Sequence, residues 1–251
     1  MNAKEKLDRK LLQQDFSQDP SKQSVLDRYR HIAAGYAELE NNIAVLSDMQ
    51  QNISYVYSGR FASLLGLKVD LNECILPSIW EDYIMRLIHP EDLPAKHAEE
   101  LMFNNYVRKL PRNKIGDHYL MSQLRMKTPT LGYVPVLHKM FYIPDVNSNS
   151  LWLALCLYGP LTFEIPMKCC VTNSVDGSVI ELKRENAMNI LTPRERQILG
   201  LIEKGHISKD IADILNISKN TVSRHRQEIL AKLQVRNSIE ACQVARLLKL
   251  I

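Results

Sequence analysis

This sequence lacks the features that mark membrane, secreted and metal-binding proteins. Its longest apolar run, Leu151–Tyr158, has the length of one β-strand and is far too short to cross a bilayer. The N-terminus is charged and has no apolar signal region, so we expect a cytoplasmic protein without membrane contact. The five cysteines show no metal-ligand spacing, and cytosolic thiols usually stay reduced. The sequence therefore predicts no metal site.

Catalytic patterns are missing as well. No nucleophile–base pair and no pair of carboxylates stands out along the chain, so we expect no catalytic residues and no enzyme. The acidic residues are scattered and do not form the cluster that a phosphoacceptor receiver domain needs. The adjacent Cys169 and Cys170 could form a redox sensor, but two plain thiols in a strand-like linker are the favoured interpretation.

Positive charge is concentrated at one end of the chain. Residues 191–251 carry 11 Lys and Arg against 6 Asp and Glu, while the rest carries 21 against 22. A compact basic domain beside a neutral one is expected of a protein that binds the phosphate backbone of DNA. The alternative is a solvated basic face on a helical protein-interaction module. Charge alone does not separate these two classes.

The same basic segment has the pattern of four short helices. Thr192–Glu195 combines a Thr cap, a Pro at the first helical position and a Glu three residues after the cap. Gly205 ends the first helix, and Ser218 and Asn237 are predicted to cap the third and fourth. Asn216 lies at a turn that needs left-handed backbone, and Ala212 is small where two helices must cross. These features favour a helix-turn-helix over an unspecialised bundle.

The segment resembles the LuxR-type (FixJ-type) helix-turn-helix, and the resemblance covers nearly all of residues 191–251. The residues that match the family's motifs are Leu191, Thr192, Arg194, Glu195, Lys209, Asp210, Ile211, Ala212, Ile217, Ser218, Thr221, Val222, His225, Lys232, Leu233 and Val235. Ile207 stands where the family usually has a Ser cap, so we expect Ser208 to cap the second helix instead. Ser223 and Gln227 replace lysines that other members carry.

The third helix, at about residues 219–233, is expected to lie in the major groove of double-stranded DNA. Val222, Ile229 and Leu233 face the core, so their neighbours point outward. Helix geometry and the resemblance together predict the DNA-contacting residues Lys209, Lys219, Asn220, Thr221, Ser223, Arg224, Arg226 and Gln227. His225 is expected to be a packed or phosphate-adjacent histidine, because no second metal ligand lies at a suitable spacing.

The N-terminal residues 1–41 are predicted to hold a polar, frayed tail over residues 1–20 and then a helix. Apolar residues recur at steps of four and three within that helix, the spacing of a coiled-coil-like seam. The seam can pack on its own domain or on a second subunit, and we favour a homodimer contact. The predicted dimer-interface residues are Val25, Tyr29, Ile32, Tyr36 and Leu39.

Residues 42–162 are predicted to form an α+β domain, with an antiparallel sheet and helices on one face. The predicted strands are Asn42–Leu46, Ile53–Tyr57, His118–Thr128, Tyr133–Ile143 and Leu151–Tyr158. The predicted helices are Arg60–Leu67, Ile79–Ile88 and one that follows His89–Asp92 and runs to about Leu110.

This order, with the motifs Phe61–Gly66 and Ile88–Asp92, resembles a PAS sensor domain. The resemblance implies either a small-molecule ligand between sheet and helices or a domain filled by its own side chains that serves dimerisation. No cofactor is predicted, and His97, His118 and His138 are expected to be surface or core histidines rather than haem ligands.

Residues 163–189 are predicted to join the two domains. Val171–Asn173 and Val179–Leu182 flank an Asp-Gly turn and predict a hairpin, and a polar tether follows at Lys183–Asn189. Residues 190–251 then form the helix-turn-helix domain. The whole chain is interpreted as a DNA-binding transcription regulator, with RNA polymerase as a further candidate partner. The alternative is an anti-activator that docks its basic helices on a protein.

Overall fold

A computed structural model describes residues 3–165, 167–182, 191–233, 237–247 and 250–251. The predicted tether at Lys183–Asn189 and the motif residue Val235 lie outside these described residues. Two compact units are present, one formed by Arg9–Glu181 and the other by Met1–Asp8 with Leu182–Ile251. Within the described part of the chain, no helix combines the length and the apolar character needed to cross a membrane.

The fold class is α+β, as predicted. The strands are β1 (Ile43–Asp48), β2 (Ile53–Ser58), β3 (Asp70–Leu76), β4 (His118–Thr128), β5 (Gly132–Pro144), β6 (Leu151–Pro160), β7 (Cys169–Asn173) and β8 (Val179–Glu181). The helices are α1 (Ala3–Leu12), α2 (Lys22–Leu39), α3 (Phe61–Leu64), α4 (Asp82–Met85), α5 (Asp92–Val107), α6 (Arg112–Ile115), α7 (Pro193–Glu203), α8 (Ser208–Leu215), α9 (Lys219–Leu233) and α10 (Ser238–Leu247).

The described strands form one antiparallel sheet in the order β3-β2-β1-β6-β5-β4-β7-β8. The predicted β7–β8 hairpin is present and extends this sheet beside β4. Strand β3 was not predicted. It lies at the edge of the sheet, and its exposed Leu71 and Ile75 give no buried–exposed alternation that a sequence pattern could detect.

Two predicted helices are shorter than expected. The segment Arg60–Leu67 keeps only α3, because Gly66 adopts a left-handed conformation with φ of 76° that ends the helix. The segment Ile79–Ile88 keeps only α4, and its last residue, Ile88, instead forms a β-bridge with Met126. Helical periodicity reports neither a left-handed turn nor a β-bridge partner.

Helix α2 covers one face of the sheet. Leu26, Ala33 and Ala37 are buried against a cluster of apolar residues from β1, β2, β5 and β6. Of the predicted dimer-interface residues, Val25, Tyr29 and Tyr36 pack partly against this cluster, whereas Ile32 is 39% and Leu39 is 83% exposed. The predicted seam therefore divides between an intramolecular part and an exposed part. The deepest contacts come from alanines, which carry little hydrophobic signal in a sequence.

Helix α5 covers the opposite face of the sheet. Phe103 stacks on Tyr142 of β5 with ring centroids 5.4 Å apart, and Asn104 donates to the Tyr142 hydroxyl at 3.4 Å. Lys96 and Glu100, one helical turn apart, form an ion pair of 2.5 Å, and their side chains are 1% and 2% exposed. This pair lies inside the domain rather than on its surface.

The polar N-terminal segment is ordered, so the prediction of a frayed tail is wrong. Leu7 and Leu11 of α1 are buried at a spacing of four residues, which is the helical signal that the polar composition masked. After α1, the Gln14 amide exchanges two 2.9 Å hydrogen bonds with the backbone of Leu151. The segment from Ser17 to Lys22 is held by the side chain of Asp145. The Asp145 carboxylate accepts hydrogen bonds from the Ser17 backbone N–H at 2.8 Å, from the Ser17 hydroxyl and from Lys22 Nζ at 2.9 Å.

Candidate nucleic-acid interface

Three of the four predicted side-chain caps in residues 191–251 are formed, at Thr192, Ser218 and Asn237. The Thr192 hydroxyl accepts from the Glu195 N–H at 3.2 Å, and the Glu195 carboxylate accepts from the Thr192 N–H at 2.7 Å. The Ser218 hydroxyl accepts from the Thr221 N–H at 3.0 Å, and the Asn237 amide oxygen accepts from the Glu240 N–H at 2.9 Å. These bonds satisfy backbone donors that a helix start leaves free, and so they fix where α7, α9 and α10 begin.

The turn between α8 and α9 has the geometry that the sequence predicted. Asn216 adopts the left-handed conformation with φ and ψ both 51°, and the Ile217 N–H returns to the Ala212 carbonyl at 3.0 Å. Ala212 is 7% exposed. Buried apolar residues from all four helices form the core of this unit; among them are Ile198, Leu199, Ile211, Val222, Ile229, Leu233, Ala241 and Ala245.

Burial of Val222, Ile229 and Leu233 turns the other side of α9 toward solvent. The three predicted base-contacting residues, Ser223, Arg224 and Gln227, are all exposed. The Arg224 side chain is 69% exposed and lies 3.5 Å from Glu228 on the next turn, a solvent-screened contact that DNA could replace at little cost. The outward orientation comes from ordinary helical periodicity around a buried stripe.

The predicted phosphate contacts fall into two groups. Lys219, Asn220 and Lys209 are exposed, the first two at the start of α9 and the third in the first turn of α8. Thr221 is half-buried, and its hydroxyl pairs with that of Ser218 at 2.8 Å. Exposed cations beside the free N–H groups of a helix start provide a suitable arrangement for phosphate oxygens.

Arg226 has intramolecular partners that the sequence did not reveal. Its two Nη atoms donate to the hydroxyls of Ser208 and Ser238 at 3.0 and 2.9 Å, so one guanidinium on α9 links the first turns of α8 and α10. Ser208 is the first residue of α8 and not its cap, contrary to the prediction. Ile207 occupies the cap position, where its N–H donates to the Asp210 carboxylate at 3.4 Å.

We expect Arg226→Met to lower the free energy of unfolding of this unit by about 2 kcal/mol, because two hydrogen bonds from a charged group are lost. Ser238→Ala, which removes one of them, should have roughly half that effect. Both are measurable by chemical denaturation, with exposed Arg224→Met as the control. If Arg226→Met instead left stability unchanged and reduced the salt dependence of DNA binding, Arg226 would be the phosphate ligand that the sequence predicted.

His225 has acidic neighbours that were not anticipated. Its Nδ1 lies 3.2 Å from a Glu228 carboxylate oxygen, and a ligand-capable oxygen of Glu195 lies within 4.8 Å of both groups. The Glu195 carboxylate already accepts the Thr192 N–H. The arrangement is that of a packed histidine with a hydrogen-bonded ring, which was the favoured interpretation, but the expectation of no neighbouring ligand was wrong.

Three histidines and the two adjacent cysteines of the other unit are internal. His97, His118 and His138 are buried, at 8%, 9% and 0% exposure. Cys169 and Cys170 are buried, unpaired thiols of β7. Burial raises the pKa of the Cys170 thiol, which favours the unreactive protonated form.

Four helices, a left-handed turn and a basic outward face on α9 define a helix-turn-helix domain. The family model described as "Bacterial regulatory proteins, luxR family" matches residues 189–245, and this segment is a LuxR-type helix-turn-helix domain.

Similar proteins share this part of the chain. The uncharacterized response regulatory protein YgeK of Escherichia coli (strain K12) is 44% identical over 62 residues, which cover 25% of this chain and 42% of that protein. The nitrate/nitrite response regulator protein NarL of the same strain is 44% identical over 57 residues, or 23% of this chain and 26% of that one. This chain therefore spans less than half the length of either relative. Both are regulatory proteins by name.

A solved structure resembles a larger share of the chain. The crystal structure of a phage VqmA–DPO complex is 16% identical, covers 90% of each chain and superposes with a TM-score of 0.34. This similarity is too low to support the predicted PAS-like domain. That prediction rests on the sequence motifs and on the antiparallel sheet with helices described above.

Proposed function

We propose that this chain is a sequence-specific DNA-binding transcription regulator in which α9 enters the major groove. The observation that carries the proposal is the joint exposure of Ser223, Arg224 and Gln227 opposite the buried stripe of α9. An Arg can bridge guanine O6 and N7, and a Gln can bridge adenine N6 and N7. Lys209, Lys219, Asn220 and Thr221 would hold the duplex by its phosphates.

Salt dependence tests this proposal against protein docking. A dimer that neutralises about six phosphates should show a log–log salt slope of about −5, and so lose affinity for DNA by about a thousandfold between 50 and 200 mM salt. The measurement is fluorescence anisotropy with a selected operator and a random duplex. An anti-activator that docks on protein would leave both duplexes unbound at every salt concentration.

Two substitutions separate base reading from phosphate binding. Arg224→Ala should cost roughly 1–3 kcal/mol of discrimination at one base pair while random-duplex affinity changes little. Lys219→Ala should weaken binding to all duplexes alike and reduce the salt slope by about one per subunit. Lys68→Ala, which alters a side chain 88% exposed in the other unit, is the matched control. If both variants bound all duplexes as the wild type does, α9 would not be the DNA-contacting helix.

The exposed part of the α2 seam supports a homodimer. Ile32 and Leu39 project from α2, and on the same face of the sheet the stacked rings of Tyr119 and Phe141 are only half-buried. A second copy that packs α2 here would cover all four side chains. Operator half-sites commonly mirror such a two-fold axis.

We expect Leu39→Glu to raise the dimer dissociation constant by about 10- to 100-fold, because about 1.5–3 kcal/mol of apolar burial is lost. Leu71→Glu, on the β3 edge, is the control and should leave dimerisation unchanged. Sedimentation equilibrium measures both. An equal effect of the two variants on dimerisation, or no effect of Leu39→Glu, would show that α2 is not part of the dimer interface.

The domain at residues 42–162 is proposed to control DNA binding, either through a ligand or through dimerisation. Its interior between α5 and the sheet holds fully buried large side chains, including Lys96, Phe103, Tyr142 and Tyr158. A small molecule that binds there would change the packing of α5 on the sheet. Native mass spectrometry of the purified protein would detect such a molecule together with the number of subunits.

A further inference from the structure

Three potential metal ligands meet between α5 and the sheet, and together with Lys96 they are called the interior cluster. Glu100 comes from α5, His138 from β5 and Cys156 from β6. Their ligand atoms all lie within 4.8 Å of one another, and the three residues are 1%, 0% and 6% exposed. His138 and Cys156 are diagonal neighbours, because His138 pairs with Tyr158 and Met140 pairs with Cys156 in the β5–β6 register.

His138 is oriented for a partner that the protein does not supply. Its Nδ1 lies 3.2 Å from the Ser122 hydroxyl, while its Nε2 faces Glu100 Oε1 at 3.8 Å and has no hydrogen-bond partner among the described residues. A metal-ligating histidine characteristically uses its other ring nitrogen in this way. Burial, with a further contribution from the Lys96 charge, lowers the pKa of His138 well below its usual value, so the ring is neutral. The neutral ring is the form that binds metals.

Lys96 supplies the positive charge of the interior cluster. Its ammonium lies 2.5 Å from Glu100 Oε1 and over the Tyr158 ring, 5.8 Å from the centroid. Burial would lower the pKa of Lys96, but the charges of Glu100 and Glu81 outweigh it and raise this pKa. A buried carboxylate needs a cation close by, and in this fold that cation is the ammonium.

We propose that the interior cluster binds a divalent transition metal of the zinc class through Glu100, His138 Nε2 and Cys156 Sγ. One carboxylate, one imidazole and one thiolate suit zinc or cobalt and not magnesium or calcium. On binding, the Cys156 thiol releases one proton to solvent and binds the metal as a thiolate. The site is independent of the DNA interface, so its failure would leave the proposed function intact.

Titration of the full-length protein with Co²⁺ tests the site. We expect visible absorption typical of four-coordinate cobalt together with a near-ultraviolet thiolate-to-cobalt band. Cys156→Ser should abolish the thiolate band, and His138→Gln should weaken binding by more than about a hundredfold. Cys74→Ser is the matched control, because Cys74 is an exposed thiol that could take up metal by itself. A thiolate band that is absent, or that survives Cys156→Ser, would overturn the proposal.

The Lys96 ammonium provides a second test, because it lies 2.5 Å from Glu100 Oε1 and repels a cation bound there. Lys96→Met removes this competing charge and should raise cobalt affinity at least tenfold. Calorimetry of the wild type in buffers of different ionisation enthalpy should detect proton release on metal binding, because Cys156 binds as a thiolate. Binding without proton release, or an unchanged affinity in Lys96→Met, would overturn the proposal.

Discussion

Replacing Glu100 by Leu should lower the free energy of unfolding of the Arg9–Glu181 unit by about 3–5 kcal/mol. The substitution leaves the Lys96 ammonium 1% exposed and without the carboxylate that lies 2.5 Å away. A buried charge that loses its partner is among the most destabilising changes a core can undergo, because water cannot replace the lost interaction. Urea denaturation of the full chain, followed by a probe in this unit, measures the effect.

The double variant Lys96→Met/Glu100→Leu should recover most of that loss and could exceed the wild type, because the desolvation penalty of both charges disappears. The four proteins of this cycle separate the cost of an isolated charge from the net contribution of the pair. The exposed Lys68→Met is the control for removal of a lysine. If Glu100→Leu unfolded at the wild-type urea concentration, the ion pair would not be buried as described.

Asp145→Asn should release the N-terminal segment and lower the free energy of unfolding by about 2–3 kcal/mol, because charge-assisted hydrogen bonds from Ser17 and Lys22 are lost. The Asp145 side chain is 0% exposed, so water does not compensate. Hydrogen exchange at residues 13–22 should rise with the substitution. Asp19→Asn, on the same segment, is the control.

The same anchor should be sensitive to acid. Burial alone would raise the pKa of Asp145, but hydrogen bonds from Ser17 and Lys22 outweigh it and lower this pKa to about 2, from 3.8. A lowered carboxyl pKa stabilises the fold above the unfolded value, and this stabilisation disappears as the pH falls from about 4 through 2. Asp145→Asn should reduce the dependence of the free energy of unfolding on pH in this range. An unchanged profile would mean that another carboxylate controls acid unfolding.

Local signals made the C-terminal unit predictable. Thr192, Ser218 and Asn237 are caps that accept from backbone donors three residues away, and Asn216 adopts a backbone conformation that its own side chain favours. Such features depend on neighbours in sequence. Strand β4 was likewise predicted over its full length, because it alternates between buried and partly exposed residues.

The sequence could not reveal what depends on residues distant along the chain. The helical pattern places Arg226 at an outward position, as expected of a phosphate ligand. In the fold, α8 and α10 place the hydroxyls of Ser208 and Ser238 at its guanidinium. The interior cluster depends on the β5–β6 register and on which face α5 covers, and neither can be read from the spacing of His138 and Cys156. Strand β3 pairs with one neighbouring strand only and is largely exposed, so its sequence shows no alternation of apolar and polar residues.

The sheet ends in a strand of only three residues. Val179–Glu181 pairs with β7 alone, and the exposed Val179 and Ile180 contribute little burial, so β8 can detach at a small free-energy cost. Residues 182–192 connect β8 to α7 along the chain. Each residue that is released adds about 3.3 Å of extended chain, so detachment would add about 10 Å of chain between β7 and α7. In the proposed regulator, release of this edge strand would change the effective concentration of the second helix-turn-helix domain at a two-site operator.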